Sequence, residues 1–181
     1  GGSRNDAVGF CIGSKCYMGT GWGGLSLKDF WEYDPEVNTW TQKADFGGGD
    51  RWDATGFSIG SKGYFGTGYN PNNGYPNDPM SDLWEYDPAS DTWTQRADLG
   101  IYNGRINAVG FSIGNKGYIG TGEDWYIDKS DFWEYDPVTD TWTQKTGPGY
   151  KSTDAVGFSI NNKGYIGLGT GSLNEEFYSD F

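Results

Sequence analysis

One phrase recurs through the chain: FWEYDPEVNTWTQK at Phe30–Lys43, LWEYDPASDTWTQR at Leu83–Arg96 and FWEYDPVTDTWTQK at Phe132–Lys145. A second phrase precedes it each time, starting at Ala7 (AVGFCIGSKCYMGTG), Ala54 (ATGFSIGSKGYFGTG) and Ala108 (AVGFSIGNKGYIGTG), and comes once more at Ala155 (AVGFSINNKGYIGLG). These starts lie 47, 54 and 47 residues apart. A unit of about fifty residues that repeats this closely does not bury its apolar face alone, so the fold must be a stack of copies.

Each complete unit holds four strand-like runs, which in the third are Ala108–Ile113, Lys116–Thr121, Asp131–Asp136 and Thr141–Lys145. The first two are joined by Gly114-Asn115, and in the fourth unit by Asn161-Asn162. Such pairs accept positive φ and suit a two-residue primed hairpin turn. That turn sets Ile113 opposite Lys116, Ser112 opposite Gly117, Phe111 opposite Tyr118 and Gly110 opposite Ile119. One face of the sheet then carries Val109, Phe111, Ile113 and Tyr118, and the other carries Ala108, Gly110, Ser112 and Gly117. A bulky face packs well on a flat one. Sheets stacked this way around an axis make a β-propeller, which leaves only short, protected edges. The predicted fold is all-β, a single domain over residues 1–181. Blade 1 covers about 7–43, blade 2 about 54–96, blade 3 about 108–145 and a partial blade 4 about 155–181.

Four strands per unit, a glycine-rich end to the second strand, then WEYDP and TW at fixed spacing resemble the kelch repeat. Over nearly its whole length the chain is similar to bacterial kelch-type β-propellers of the galactose-oxidase-like superfamily. It departs from them where the usual Gly-Gly after the second strand reads Gly-Thr-Gly, or Gly-Leu-Gly at Gly167–Gly169. With strands lettered a to d from axis to rim, the chain supplies a to d three times, then a, b and the start of c at Ser179–Phe181. Kelch rings usually close by sharing one blade between the termini, and no strand before Ala7 offers the missing partner. Three arrangements stay open: a segment of a longer propeller, partial propellers that complete one another, or a four-bladed ring with a ragged last blade. Unpaired edges invite further pairing, so self-association through the incomplete blade is an expectation.

The chain contains no histidine. That removes the usual general base, the Ser-His-Asp arrangement and imidazole metal sites. Copper radical oxidases of the resembled superfamily need histidine ligands, so their activity is not expected here. A net charge of −12 with no basic stripe argues against a nucleic-acid partner. No apolar stretch is long enough to cross a bilayer, so membrane insertion is not expected, and no targeting segment is visible. No cofactor is expected. The loop YNPNNGYPNDPMSD at Tyr69–Asp82 has oxygen donors of the kind Ca²⁺ takes, without the spacing of a calcium loop.

Cys11 and Cys16 stand where the other blades have Ser58/Gly63, Ser112/Gly117 and Ser159/Gly164. The predicted pairing sets them face to face at a non-hydrogen-bonded position, near the separation a disulfide tolerates. A cross-strand disulfide is expected, two free buried thiols being the alternative. It implies an oxidising, extracellular or cell-surface setting.

Residues that recur in every blade serve the blade. Asp34, Asp87 and Asp136 are read as organisers of the c–d turn, and the repeated tryptophans as packing between blades. The informative residues are those that differ. Strands alternate in direction, so the variable b–c and d–a loops share one face of the propeller, and variable loops on a constant scaffold are where folds host binding sites. These loops carry Trp22, Trp52, Tyr69, Tyr75, Tyr102, Trp125, Tyr126 and Tyr150 among Asn, Asp and Gly, a mixture suited to sugar rings or peptide side chains. Arg4, Arg51 and Arg105 each precede strand a by three residues, and Asp6, Asp53, Asn107 and Asp154 precede it directly. Both sets are expected at the mouth of the central channel, either pairing with one another across blades or holding an anionic ligand. The expected function is a non-enzymatic module binding a glycan or protein on the loop face. The alternatives are a self-assembling structural segment and a mutarotase- or lyase-like enzyme on an anionic sugar, its substrate held by those arginines.

Overall fold

The computed structural model describes residues 2–72, 79–100 and 104–171 and the backbone of 176–177. The described residues are all-β. Blade 1 is β1 (Val8–Ile12), β2 (Lys15–Gly19), β3 (Phe30–Asp34) and β4 (Thr39–Lys43), antiparallel and in chain order. Blade 2 is β5 (Thr55–Ile59), β6 (Lys62–Gly66), β7 (Leu83–Asp87) and β8 (Thr92–Arg96). Blade 3 is β9 (Val109–Ile113), β10 (Lys116–Gly120), β11 (Phe132–Asp136) and β12 (Thr141–Lys145). The fourth sheet has two strands, β13 (Val156–Ile160) and β14 (Lys163–Gly167), followed by a short ribbon of β15 (Thr170–Gly171) and β16 (Glu176–Phe177). In blade 3 the strand bounds fall within a residue of those read from the sequence.

The tight hairpins take the predicted register, with Ile113 on Lys116, Phe111 on Tyr118 and Cys11 on Cys16. Gly13, Gly60 and Gly114 turn the first three at positive φ, and Asn161 and Asn162 turn the fourth. Cys11 and Cys16 form a disulfide. At the c–d turns, Asp34, Asp87 and Asp136 accept the N–H of Glu36, Ala89 and Val138 at 2.9–3.0 Å. Glu32, Glu85 and Glu134 likewise serve the sheet, each accepting the hydroxyl of a strand-b tyrosine.

Strands β1, β5, β9 and β13 lie side by side around the axis, each packed on the next. Among the described residues β1 and β13 do not meet, so the four sheets form an open arc, a partial propeller. Bulky packs on flat as the alternation requires. The ring of Phe10 lies over Gly63, that of Phe57 over Gly117 and that of Phe111 over Gly164, so that a Cβ on any of these glycines would overlap the ring. The core is correspondingly two interblade layers. One joins Phe10, Tyr17, Phe30, Phe46, Phe65 and Tyr86, and the other Phe57, Ile59, Tyr64, Leu83, Leu99, Ile119 and Tyr135. Phe46 and Leu99 belong to d–a loops, so these loops are partly core rather than display.

Replacing the ring of Phe57 by a methyl group leaves a void over Gly117 that neither sheet fills. Phe57→Ala is expected to lower stability by about 3–5 kcal/mol, read as a lower urea midpoint with an unchanged slope.

Candidate binding face

The b–c and d–a loops share one side of the arc. Before each strand a, one residue bridges the residue that follows strand b: Asn5 with Trp22, Trp52 with Tyr69, Ile106 with Glu123 and Thr153 with Thr170. These bridges lengthen the inner hairpins toward the loop side. Consecutive blades are tied beneath the loops by backbone bonds of 2.7 Å from Gly21, Gly68 and Gly122 to the carbonyls of Arg51, Arg105 and Ser152.

The three arginines lock these loop roots. Arg51 and Arg105 are fully buried, and each grips the carboxylate of Asp82 or Asp131 through both terminal nitrogens at 2.7–2.9 Å. Arg4 holds Asp29 the same way at 2.6 Å. Each guanidinium also donates to the carbonyl of Thr20, Thr67 or Thr121, and Trp31, Trp84 or Trp133 donates its indole N–H to the same aspartate. Burial alone would raise the carboxyl of Asp131, but the Arg105 guanidinium and the Trp133 N–H hold it below the usual range. This corrects the sequence reading on two points. The arginines pair with the residue just before strand c of their own blade, not with Asp6 or Asp53. Arg51 and Arg105 are not available to a ligand. Asp82 is likewise engaged, which removes it from the calcium donors of the Tyr69–Asp82 loop.

Asp6, Asp53, Asn107 and Asp154 share a backbone reason for their positions. All four adopt left-handed φ between 51° and 55°, a conformation that Asn and Asp tolerate better than other side chains. The carboxylates of Asp6, Asp53 and Asp154 are nonetheless close enough to interact. Burial, then the charges of Asp6, Asp154 and Glu123, push the Asp53 carboxyl up to about 7. Burial and Asp6 also raise Asp154, and burial, Asp128 and Asp154 raise Glu123. Glu123 was not singled out in the sequence, although it is the b–c loop residue that follows Gly122.

Three of the eight candidate aromatics come together. Trp52 and Tyr69 of blade 2 lie edge to face at 5.1 Å, and Trp125 of blade 3 meets them at 6.0 and 5.3 Å. Trp125 is 41% exposed and held at φ 74°, a left-handed conformation unusual for a bulky residue. Beside it Tyr126 is 83% exposed. Trp22 is exposed on blade 1. Tyr150 folds back instead, donating its hydroxyl to the Ile166 carbonyl at 3.2 Å, so it packs blade 3 on sheet 4. Tyr75 and Tyr102 lie outside the described residues.

What this arrangement defines is a partial β-propeller with an aromatic, acidic loop face. The chain matches no family model and no curated protein. Among solved structures it is similar to one titled "Structure of YjhT", with a TM-score of 0.81 at 18% identity over 92% of this chain. The match spans 58% of that protein's length, and at this identity it speaks for the fold alone.

Two variants test the face. Arg51→Ala strands a buried Asp82 and is expected to cost about 3–5 kcal/mol, measured by urea unfolding. Folding raises Asp53 from near 4 to about 7, so the native state keeps a proton that the unfolded chain releases, and stability falls as pH climbs through that window. Asp53→Asn, the residue type already present at Asn107, should raise the melting temperature at about pH 8 and leave it nearly unchanged at about pH 4.

Proposed function

We propose that the chain is a non-catalytic recognition module, a kelch-like propeller segment working in an extracellular setting, which binds a neutral glycan through its loop face. The observation that carries this reading is the Trp52–Tyr69–Trp125 cluster at the seam of blades 2 and 3. Exposed aromatic rings stack on the apolar faces of sugars, and carboxylates such as Asp53 and Glu123 accept sugar hydroxyls. The unusual backbone of Trp125 supports the reading, because strained conformations gather at functional sites. The acidity of the face and of the whole chain disfavours an anionic ligand. The disulfide supports the extracellular setting. In a glycan-array screen, Trp125→Ala is expected to weaken binding about tenfold or more while the melting temperature holds. Unchanged binding by Trp125→Ala, Trp52→Ala and Tyr69→Ala would remove the proposal.

A second reading is favoured by Asp53 alone. A carboxyl with a pKa of about 7, flanked by other acids, has the protonation behaviour of a general acid or base. In this reading the chain is an enzyme on a sugar held by the aromatic cluster rather than by arginines. Turnover of any sugar by the wild type but not by Asp53→Asn would select it over binding alone.

A further inference from the structure

Consecutive blades are joined twice by the same outer lock. Where the chain leaves β4, the Ala44 N–H donates to Asp91 Oδ1 at 3.0 Å and the Trp93 indole donates to the Ala44 carbonyl at 3.2 Å. Two residues on, the Phe46 ring lies 4.4 Å from Phe65 and 5.0 Å from Trp93. Where it leaves β8, the Ala97 N–H donates to Asp140 Oδ1 at 2.9 Å, the Trp142 indole donates to the Ala97 carbonyl at 2.8 Å, and Leu99 enters the cluster with Ile119. The inserted segments are Lys-Ala-Asp-Phe and Arg-Ala-Asp-Leu.

Blade 1 carries the receiving half of this lock on its outward flank. Met18 stands where Phe65 and Ile119 stand, Trp40 matches Trp93 and Trp142, and Asn38 matches Asp91 and Asp140. The Tyr33 hydroxyl holds Asn38 Oδ1 at 2.9 Å, as Tyr86 and Tyr135 hold the two aspartates at 2.7 Å. Gly2, Arg4, Met18, Trp31 and Trp40 line an open cavity of about 410 Å³. Met18 is 45% and Trp40 51% exposed, whereas Phe65 and Ile119 are buried. Arg4 takes the place of Arg51, whose guanidinium carbon lies 5.3 Å over the Phe46 ring.

The inner half of the same flank is closed. Cys16 occupies the position at which Gly63, Gly117 and Gly164 admit a phenylalanine ring, and there a Cβ alone overlaps the ring. The bridged Cys11–Cys16 pair therefore turns away Phe158, which a second copy would offer from the exposed face of its fourth sheet.

We propose that the outer flank of blade 1 is a binding site for an extended peptide segment of Ala-Asp-Phe type. Its aromatic ring fills the Met18–Trp31–Trp40 cavity, its alanine N–H donates to Asn38 Oδ1 and its alanine carbonyl accepts from the Trp40 indole. The disulfide beside this site makes the occupant a single strand rather than a whole blade of another copy. This site is separate from the loop face, and its test does not depend on the glycan reading.

The probe is the capped peptide TQKADFGGGD, the chain's own residues 41–50, titrated by calorimetry. Saturable binding is expected, weakened about tenfold or more by Phe→Ala in the peptide or by Trp40→Ala or Met18→Glu in the protein, and unaffected by Trp125→Ala. Trp40 and Met18 are half-exposed, so both variants should fold, which a thermal melt checks. No saturable binding, equal binding of the Phe→Ala peptide, or a wild-type dimer in sedimentation that Trp40→Ala dissociates would each overturn the proposal. The last outcome would make a second copy the occupant.

Discussion

A phenylalanine ring set directly against a glycine of the next sheet is the contact on which this architecture rests. It recurs as Phe10 on Gly63, Phe57 on Gly117 and Phe111 on Gly164. The geometry needs both partners, because the ring supplies apolar area and the missing Cβ supplies the approach distance. Since strand a of every sheet carries large residues on one face and small ones on the other, the stack has a direction. Its two ends are chemically different surfaces: β13 offers exposed Val156, Phe158 and Ile160, while blade 1 offers a disulfide and a tryptophan-lined cavity.

The same asymmetry explains how loops can vary without loosening the fold. Each complete blade fastens the roots of its b–c and d–a loops with an arginine, fully buried in blades 2 and 3 and partly buried in blade 1, clamped on an aspartate that is itself capped by an indole N–H. A bidentate pair of this kind is costly to bury and strongly destabilising to break, so it fixes geometry more than it adds stability. Above those roots, composition is free to differ. The position that carries Trp22 in blade 1 carries Tyr69, Glu123 and Thr170 in the others, so each blade brings different chemistry to the same place on the face. The aromatic cluster forms where blade 2 supplies two rings and blade 3 reaches across with a third.

Strand bounds, hairpin register, the bulky and flat faces and the disulfide were all legible in the sequence. They follow from period-two alternation and a two-residue turn, and both act over a few residues. The partners of Arg4, Arg51 and Arg105 were not, because a guanidinium's choice between carboxylates is decided by three-dimensional approach. A signal was present all the same: Asp29, Asp82 and Asp131 stand immediately before each Phe/Leu-Trp-Glu-Tyr-Asp phrase. Phe46 and Leu99 were hidden for a related reason. Lone apolar residues in glycine-rich loops carry no periodicity, so only the neighbouring blade reveals that they are core. Tyr150 looked like a display residue by the same logic and proves to be a spacer between sheets.

In a repeat, the unit that departs from its siblings is the informative one. Ser-and-Gly in three blades becomes Cys-and-Cys in the first, on a hairpin whose register is already set by its turn and its ladder. Closing so short a loop gains the least from chain entropy, so the bridge is poorly placed to stabilise the hairpin. What it alters is shape. It puts side chains on a flat face that, among the described residues, no other blade covers, at the position where glycine otherwise receives an aromatic ring. The substitution therefore acts on what is allowed to approach that face, and it leaves the outer cavity next to it unobstructed.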